Sequence, residues 1–356
     1  MTEPQRVFDG HNDVLLRLWR HDRSGRAFFN ERADGHIDLP KAKRGGLCGG
    51  LFAAFVPPAP EPQRESERRG VVPRVPASTP SSFLSAVDQD DALAITLGQF
   101  AVALRVERIS DGAVTICRSA AEVTAAHQRG QFAMVLHLEG AEAIDADFEA
   151  LDVLHAAGLR SLGPLWSRPT IFGTGVPFRF PSTPDVGDGL TERGLALVRA
   201  CNDLGIMVDC SHLNERSFWD VARLSAAPLV ATHSNAHAVC PSARNLTDAQ
   251  MDAIRDTDGL VGLNFATFFI RPDGKRISET PLSMMTRHLD HMLKKLGPTG
   301  VALGSDFDGA PVPAEIGDAS GLPRLVHAMR LAGYDDDLID AICYRNWIDL
   351  LARTLK

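Results

Sequence analysis

The sequence predicts a single (β/α)8 TIM barrel with extra helices at its C-terminal end, occupying residues 1–356 as one domain. Three observations predict it. Eight short apolar runs recur along the 356 residues. The later runs alternate with amphipathic helical segments, as in a barrel of repeated strand–helix units. No Gly-x-Gly-x-x-Gly opens a helix after a run, which weighs against a doubly wound nucleotide-binding sheet. Composition agrees with a packed globular chain: 44% of residues are hydrophobic and 23% charged, enough for a core and too apolar for disorder.

The eight runs lie at 7–9, 50–56, 132–137, 161–164, 207–209, 229–232, 260–264 and 301–304. Several are almost continuously apolar, as parallel strands buried on both faces require. Helices are expected over 191–204, 215–226, 247–256 and 281–296. Thr191, Asn214 and Thr247 stand at or beside their N-caps. Segments 322–332 and 335–355 read as helices packing under or beside the barrel, the second opened by acidic residues that suit a helix start. Residues 57–80 hold seven prolines and read as an irregular loop after the second strand. Residues 166–190, rich in Gly, Pro and aromatics, follow the fourth. In a barrel both loops fall on the C-terminal face, where active sites form.

The charge balance excludes some functions. A net charge of −8 with no Lys/Arg-rich run argues against nucleic acid or an anionic membrane surface as partner. No run of 18 apolar residues exists to span a bilayer. The N-terminus lacks a basic and then apolar leader. The six cysteines are scattered without a Cys-x-x-Cys pair and read as reduced thiols of a cytoplasmic protein.

The chemistry-bearing residues recur at one place in the repeat. His11 and Asp13 follow the first run, two apart and so on one side of an extended backbone. Glu139 follows the third run, His212 the fifth, His233 the sixth and Asp306 the eighth. Any one of them alone reads as a cap or a solvated loop charge. Six such residues recurring at the ends of five strands that a barrel gathers around one axis point to a metal centre. Five ligands (His11, Asp13, Glu139, His212, His233) exceed what one tetrahedral zinc with an open position requires. Glu139, whose strand lies between those carrying the other pairs, is the natural bridge between two ions. Two ions about 3.5–4 Å apart would hold a hydroxide between them and polarise a carbonyl. Asp306 is left as the proton-transfer group.

These landmarks, DGHND at 9–13, EG at 139–140, SH at 211–212, HSNAHAVCPSARN at 233–245 and GSDFDG at 304–309, resemble the membrane (renal) dipeptidase family, peptidase family M19 of the amidohydrolase superfamily. The resemblance covers nearly the whole chain. It implies a barrel of the metal-dependent hydrolase type with two Zn2+ ions per chain. His11 and Asp13 would hold one ion, His212 and His233 the other, and Glu139 both. Asp306 matches the family's catalytic aspartate. Arg244 matches the arginine that binds the substrate's C-terminal carboxylate, a task suited to a guanidinium fork. Trp166 departs from the pattern, standing where such enzymes carry a substrate-contacting histidine. Indole donates one hydrogen bond and cannot accept or titrate. The resemblance also implies a small-molecule dipeptide as substrate, C-terminal D-residues included, and a homodimer.

The remaining residues carry weaker expectations. His137 reads as a barrel-interior histidine, His237 as a surface residue, Asp308 as a loop carboxylate, and His288 and His291 as solvated positions on the 281–296 helix. Besides a zinc dipeptidase, two functions fit the sequence. One is a zinc amidohydrolase acting on another carboxylate-bearing amide, such as an N-acyl amino acid or a lactam. The other is a non-catalytic barrel used for binding.

Overall fold

The computed structural model describes residues 4–58 and 85–355. The proline-rich segment expected at 57–80 lies outside them from residue 59 onward. Eleven strands occur among the described residues: β1 Val7–Asn12, β2 Leu47–Phe55, β3 Val114–Ile116, β4 Phe132–Glu139, β5 Leu159–Gly163, β6 Pro169–Thr170, β7 Gly173–Thr174, β8 Met207–Val208, β9 Val230–Ala231, β10 Leu260–Leu263 and β11 Val301–Leu303. Each of the eight apolar runs contains one of them. The strands β3, β6 and β7 are additions the apolar pattern does not show. All of them are three residues or shorter, too short to show a periodic signal of their own.

The strands form an α/β fold with a curled parallel sheet. One sheet runs β1-β2-β4-β5-β8, with β3 on the first half of β4, and a second runs β11-β10-β9. The two are joined only by single parallel bridges, Asp209 to Val230 on one side and Asn12 to Phe307 on the other. At these joins Cys210 N donates to Val230 O (2.7 Å) and Asp13 N to Phe307 O (2.8 Å). The ring of eight strands is therefore thinnest where β8 meets β9 and where β11 meets β1. Both joins lie beside chemistry-bearing residues. Ladder pairing yields there to loops that aim side chains.

The expected helices form with the expected caps. Thr191 accepts from Gly194 N at the head of helix Glu192–Leu204, and Asn214 from Ser217 N at the head of Glu215–Leu224. Thr247 and Gln250 make a reciprocal capping box on Asp248–Asp256. Helix Leu282–Leu296 follows, then Leu322–Leu331, and Asp335 caps the acidic start of Asp336–Asp340. The last helix, Asn346–Thr354, closes the floor. Trp347 is fully buried, and its Nε1 donates to Leu303 O (2.8 Å), while Asn346 Nδ2 donates to Val301 O (2.8 Å). It packs under the barrel, as expected. The sequence reading left helix Gln89–Ile109 without an assignment, although it is 21 residues long. It covers β2 through Gln99, whose amide bonds both the N–H and the C=O of Phe55.

One expectation fails outright. His288 is not solvated: it is completely buried, accepting from Ala236 N on Nδ1 (3.1 Å) and meeting Ile270 O through Nε2 (2.9 Å). Burial pushes its pKa down to about 4. On the 281–296 helix this histidine meets the loop after β9 and the helix Thr267–Ile270, and helical periodicity does not distinguish a polar residue with two backbone partners from one in water. Its neighbour His291 is partly exposed and pairs with Asp248 (2.7 Å).

Candidate metal centre and substrate cavity

The C-terminal strand ends converge on one buried cluster. His11, inside β1, and Glu139, the last residue of β4, meet Asp13, His212 and His233 from the loops after β1, β8 and β9. Glu139 Oε1 lies 3.0 Å from His212 Nε2, 3.4 Å from His233 Nε2 and 3.7 Å from His11 Nε2. Asp13 Oδ2 lies 3.7 Å from His11 Nε2. Three triads have ligand atoms within 4.8 Å of one another: His11, Asp13 and Glu139; Glu139, His212 and His233; and His11, His233 and Asp306. Glu139 is shared by the first two. Asp306 thus sits within ligating reach of the cluster as well as beside it.

The donor set fits divalent cations, and the clearest sign is what these atoms do without protein partners. Both ring nitrogens of His11 and Oδ1 of Asp13 are buried with no hydrogen-bond partner. His212 Nε2 and His233 Nε2 face each other at 3.2 Å. The tautomer of His233 follows from its neighbours. Thr232 Oγ1 donates to Asp209 Oδ2 (2.6 Å), so it accepts from His233 Nδ1 (2.8 Å), and Nε2 keeps its lone pair. Burial drives the imidazoles toward the neutral, ligating form: His11 is lowered to about 4, and His212 and His233 fall well below the ordinary value. The carboxylates move the other way. Burial raises Asp13 to about 7, and Glu139 rises through burial, then through the charges of Asp13 and Asp306. Neutral imidazoles and mutually repelling buried carboxylates are what a cation stabilises.

A further set of residues holds this cluster in place, and the sequence reading passed over most of them. Asp9 accepts from Ser305 N (2.7 Å), Ser305 Oγ (2.8 Å) and Asn12 Nδ2 (3.2 Å), tying the loop that carries Asp306 to β1. Asp209 accepts from Ser211 N (2.9 Å) and Thr232 N (2.8 Å), tying the His212 and His233 loops together. Ser167 Oγ meets His212 Nδ1 at 2.9 Å. Asn264 Nδ2 donates to Asp306 Oδ2 (3.0 Å), leaving Oδ1 toward the cavity. His212 (φ 67°) and Asp306 (φ 58°) both hold the left-handed backbone that L-residues avoid, so the loop geometry is imposed by these contacts. Gly309 completes the fit: a Cβ there would collide with Asp13 Oδ2 and stand 2.5 Å from Asp306 Oδ1.

Over the cluster opens a cavity of about 450 Å³, lined by Asp13, Glu139, His212 and Asp306 at its base. That volume suits a small ligand. Its wall is aromatic. Trp166 is buried against Phe55 (ring centroids 4.8 Å), Phe178 (5.5 Å) and His212 (5.9 Å). Arg168 stacks on the indole at 4.6 Å, donates to Val56 O (2.7 Å) and pairs with the buried Glu142 (3.2 Å). Arg244 is buried behind the metal-facing wall, where NH1 donates to Ser234 Oγ (2.7 Å) and NH2 to His233 O (3.0 Å). Its Nε–H is buried and partnerless. His137 lies deeper, bonded to Ser161 Oγ (2.8 Å), and His237 is half-buried against Ser182 O (2.9 Å). Asp308, a turn carboxylate at the cavity rim, accepts from Arg17 Nε (3.0 Å) and His36 N (2.6 Å).

The whole chain matches known proteins. Residues 1–354 match the model of the membrane dipeptidase family, peptidase family M19. A solved structure described as the dipeptidase AC, a metallopeptidase of family M19, is 49% identical, with 99% of each chain covered and a TM-score of 0.91. A metallopeptidase from Rhodobacter sphaeroides, solved with a phosphinate mimic of the dipeptide L-Ala-D-Ala, is also 49% identical, with 99% of each chain covered and a TM-score of 0.92. An uncharacterized protein in the pqqA 5' region of Klebsiella pneumoniae is 46% identical over 261 residues, which is 73% of this chain and 96% of that protein. Among the described residues no helix is long and apolar enough to cross a membrane. With the family model spanning the fold and every strand end of the cluster, the chain belongs to the membrane dipeptidase family, peptidase family M19, and is a metal-dependent hydrolase.

Proposed function

We propose that this protein is a dinuclear zinc dipeptidase that cleaves the peptide bond of dipeptides, those ending in a D-residue included, within a single barrel spanning residues 1–356. The observation that carries the reading is the position of Glu139. One of its oxygens lies within 3.0–3.7 Å of three imidazole Nε2 atoms that arrive from three different strand ends. His11 and Asp13 would hold one Zn2+, His212 and His233 the other, and Glu139 both. When bound, such ions supply Lewis acidity toward the scissile carbonyl and lower the pKa of the attacking water. The D-residue reading is supported by the R. sphaeroides relative, which was solved with a mimic of L-Ala-D-Ala.

The chain's own groups supply the rest. Asp306 is held by Asn264 through Oδ2, and burial raises its pKa, so Oδ1 can take a proton and return it to the leaving amine. Arg244 retains a buried, partnerless Nε–H, with the charges of Asp209, Asp306 and Glu139 acting on it, and it is the residue we assign to the substrate's terminal carboxylate. Trp166 walls the cavity where a titratable histidine would otherwise stand. It excludes water and narrows the pocket through packing with Phe55 and Phe178.

The test is turnover by zinc-loaded protein of a panel of L,L and L,D dipeptides, read as released amino acid. N-acyl amino acids and lactams run beside them. Cleavage of dipeptides with metal-dependent rates is the expected result. Turnover confined to N-acyl amino acids or lactams would move the assignment to another amidohydrolase.

A further inference from the structure

We propose that the cavity selects dipeptides whose C-terminal residue carries a second, side-chain carboxylate, and that Arg276 is the residue that recognises it. The proposal rests on the dipeptidase reading above and goes beyond it by naming a substrate class. It starts from the arginines around the cavity. Arg17 is committed to Asp308, Arg168 to Glu142, and Arg244 to Ser234 and the His233 carbonyl. Arg20, on helix Val14–His21 after Asp13, lines the cavity and is without a hydrogen bond or ion pair among the described residues, but it lies on a different element from the aromatic wall of Phe268 and Phe269. Arg276, on the loop after helix Thr267–Ile270, lines the cavity with no hydrogen bond or ion pair among the described residues. Its guanidinium carbon lies over Phe268, 3.9 Å from the ring centroid.

That contact makes Arg276 a built feature of the wall. A guanidinium stacked on an aromatic face keeps its in-plane N–H groups free, and the stacking reduces the side-chain entropy still to be lost on binding. In-plane N–H pairs match a carboxylate bidentately. The acids that line the same cavity are already engaged: Asp308 by Arg17, Asp13 and Glu139 within the metal cluster, and Asp306 by Asn264. Among the described residues Arg276 is therefore a cavity cation that makes no ion pair.

The position of this cation relative to Arg244 indicates which substrate residue it meets. Arg244 Cζ lies 5.8 Å from the Phe269 ring, the Phe269 and Phe268 rings are 4.2 Å apart, and Arg276 covers Phe268. The two arginines are the ends of one aromatic wall. A C-terminal residue whose α-carboxylate is drawn to Arg244 lies along that wall and directs its side chain toward Arg276. Arg276 is exposed, so an apolar side chain there offers its guanidinium nothing in exchange for water, whereas an aspartate or glutamate side chain supplies a bidentate, charge-assisted partner.

Steady-state kinetics of the zinc-loaded full-length protein test this with isosteric pairs: Ala-Asp against Ala-Asn and Ala-Glu against Ala-Gln, with the second residue in either configuration. The wild type should favour the acid over its amide by about 10-fold or more in kcat/KM, the effect expected of one charge-assisted contact. In Arg276→Met, which keeps an apolar stem against Phe268, that ratio should fall to about 1, and Arg276→Lys should recover part of it. A wild-type ratio near 1, or a ratio unchanged in Arg276→Met, overturns the proposal while leaving the dipeptidase reading intact. Absence of turnover on every dipeptide defeats the dipeptidase reading instead. Calorimetric binding of phosphinate mimics of Ala-Asp and Ala-Asn then decides the carboxylate preference: tighter binding of the acid, lost in Arg276→Met, supports it, and equal affinities overturn it.

Discussion

Replacing Gly309 with Ala tests whether the active carboxylates are held as tightly as the structure shows. The new Cβ would collide with Asp13 Oδ2 and stand 2.5 Å from Asp306 Oδ1. To reach ordinary contact Asp306 Oδ1 must retreat by about 0.9 Å and Asp13 Oδ2 by more. The atoms in the way are side-chain tips, so the backbone can stay put. The stability cost should sit at the low end of overpacking, about 1 kcal/mol. The functional cost should be large, since displacing reacting groups by about 1 Å costs on the order of 100-fold. Expected, then, are a small drop in Tm, a lower divalent-metal content because Asp13 moves, and kcat/KM reduced by about 10- to 100-fold even at saturating metal. Thermal melts, elemental analysis and dipeptide kinetics on one preparation read all three. Wild-type kcat/KM and metal content in a protein with unchanged Tm would refute the reasoning, because the carboxylates would then have room the structure denies them.

Glu139→Gln should lower occupancy at both metal positions, since one oxygen neighbours all three imidazoles; elemental analysis showing a single tightly held ion unaffected by the change would remove the bridging role. Asp306→Asn should keep most of the metal yet reduce kcat by orders of magnitude, and wild-type kcat in the loaded variant would dismiss the proton-transfer role. Arg244→Ala should lower kcat/KM about 10- to 100-fold for dipeptides with a free terminal carboxylate and much less for their amides, a difference worth roughly 1.5–3 kcal/mol. His288 predicts acid sensitivity away from the cluster. Its folded pKa of about 4 lies below the ordinary histidine value of 6.5, so the unfolded chain takes the proton first and stability falls as pH drops from about 6.5 toward 4, by roughly 3 kcal/mol in all. Denaturant midpoints of wild type and His288→Gln across that range should converge at low pH, and parallel curves would contradict the burial argument.

The parts of the fold legible in sequence are those with a periodic or capping signal. All eight apolar runs contain strands because buried parallel strands need continuous apolar character, and Thr191, Asn214 and Thr247 cap the helices they precede. The strand-end residues His11, Asp13, Glu139, His212, His233 and Asp306 were legible as a set because the repeat places them alike. The structure brings all six within one cluster. Helix Gln89–Ile109 carries a weak periodic signal because its apolar residues are spread around it, with Ala92, Phe100, Val102, Ala103 and Val106 buried and Leu97 and Leu104 exposed. His288 was misread for the opposite reason: a polar residue on an apolar stripe looks like the stripe's edge until Ala236 N and Ile270 O are known to meet it.

Residues that act through another residue leave the faintest trace. Asp9 and Asp209 occupy the same relation to two different loops: each is a buried carboxylate that accepts a backbone N–H and a hydroxyl from the segment carrying the chemistry. In sequence each is an ordinary Asp beside a histidine motif. The contact that gives it meaning lies 296 residues away for Asp9 and 23 for Asp209. These two are also the carboxylates that stand at the weak joins of the sheet, where a single bridge replaces a ladder between β11 and β1 and between β8 and β9. The hydrogen bonds that regular pairing would make there are made instead by side chains. That leaves the backbone of His212 and Asp306 free to adopt the left-handed conformation that turns both residues toward the cavity. The open joins and the strained site residues thus have one cause: the sheet gives up ladder pairing where the chemistry needs its residues aimed, and Asp9 and Asp209 hold what the ladder releases.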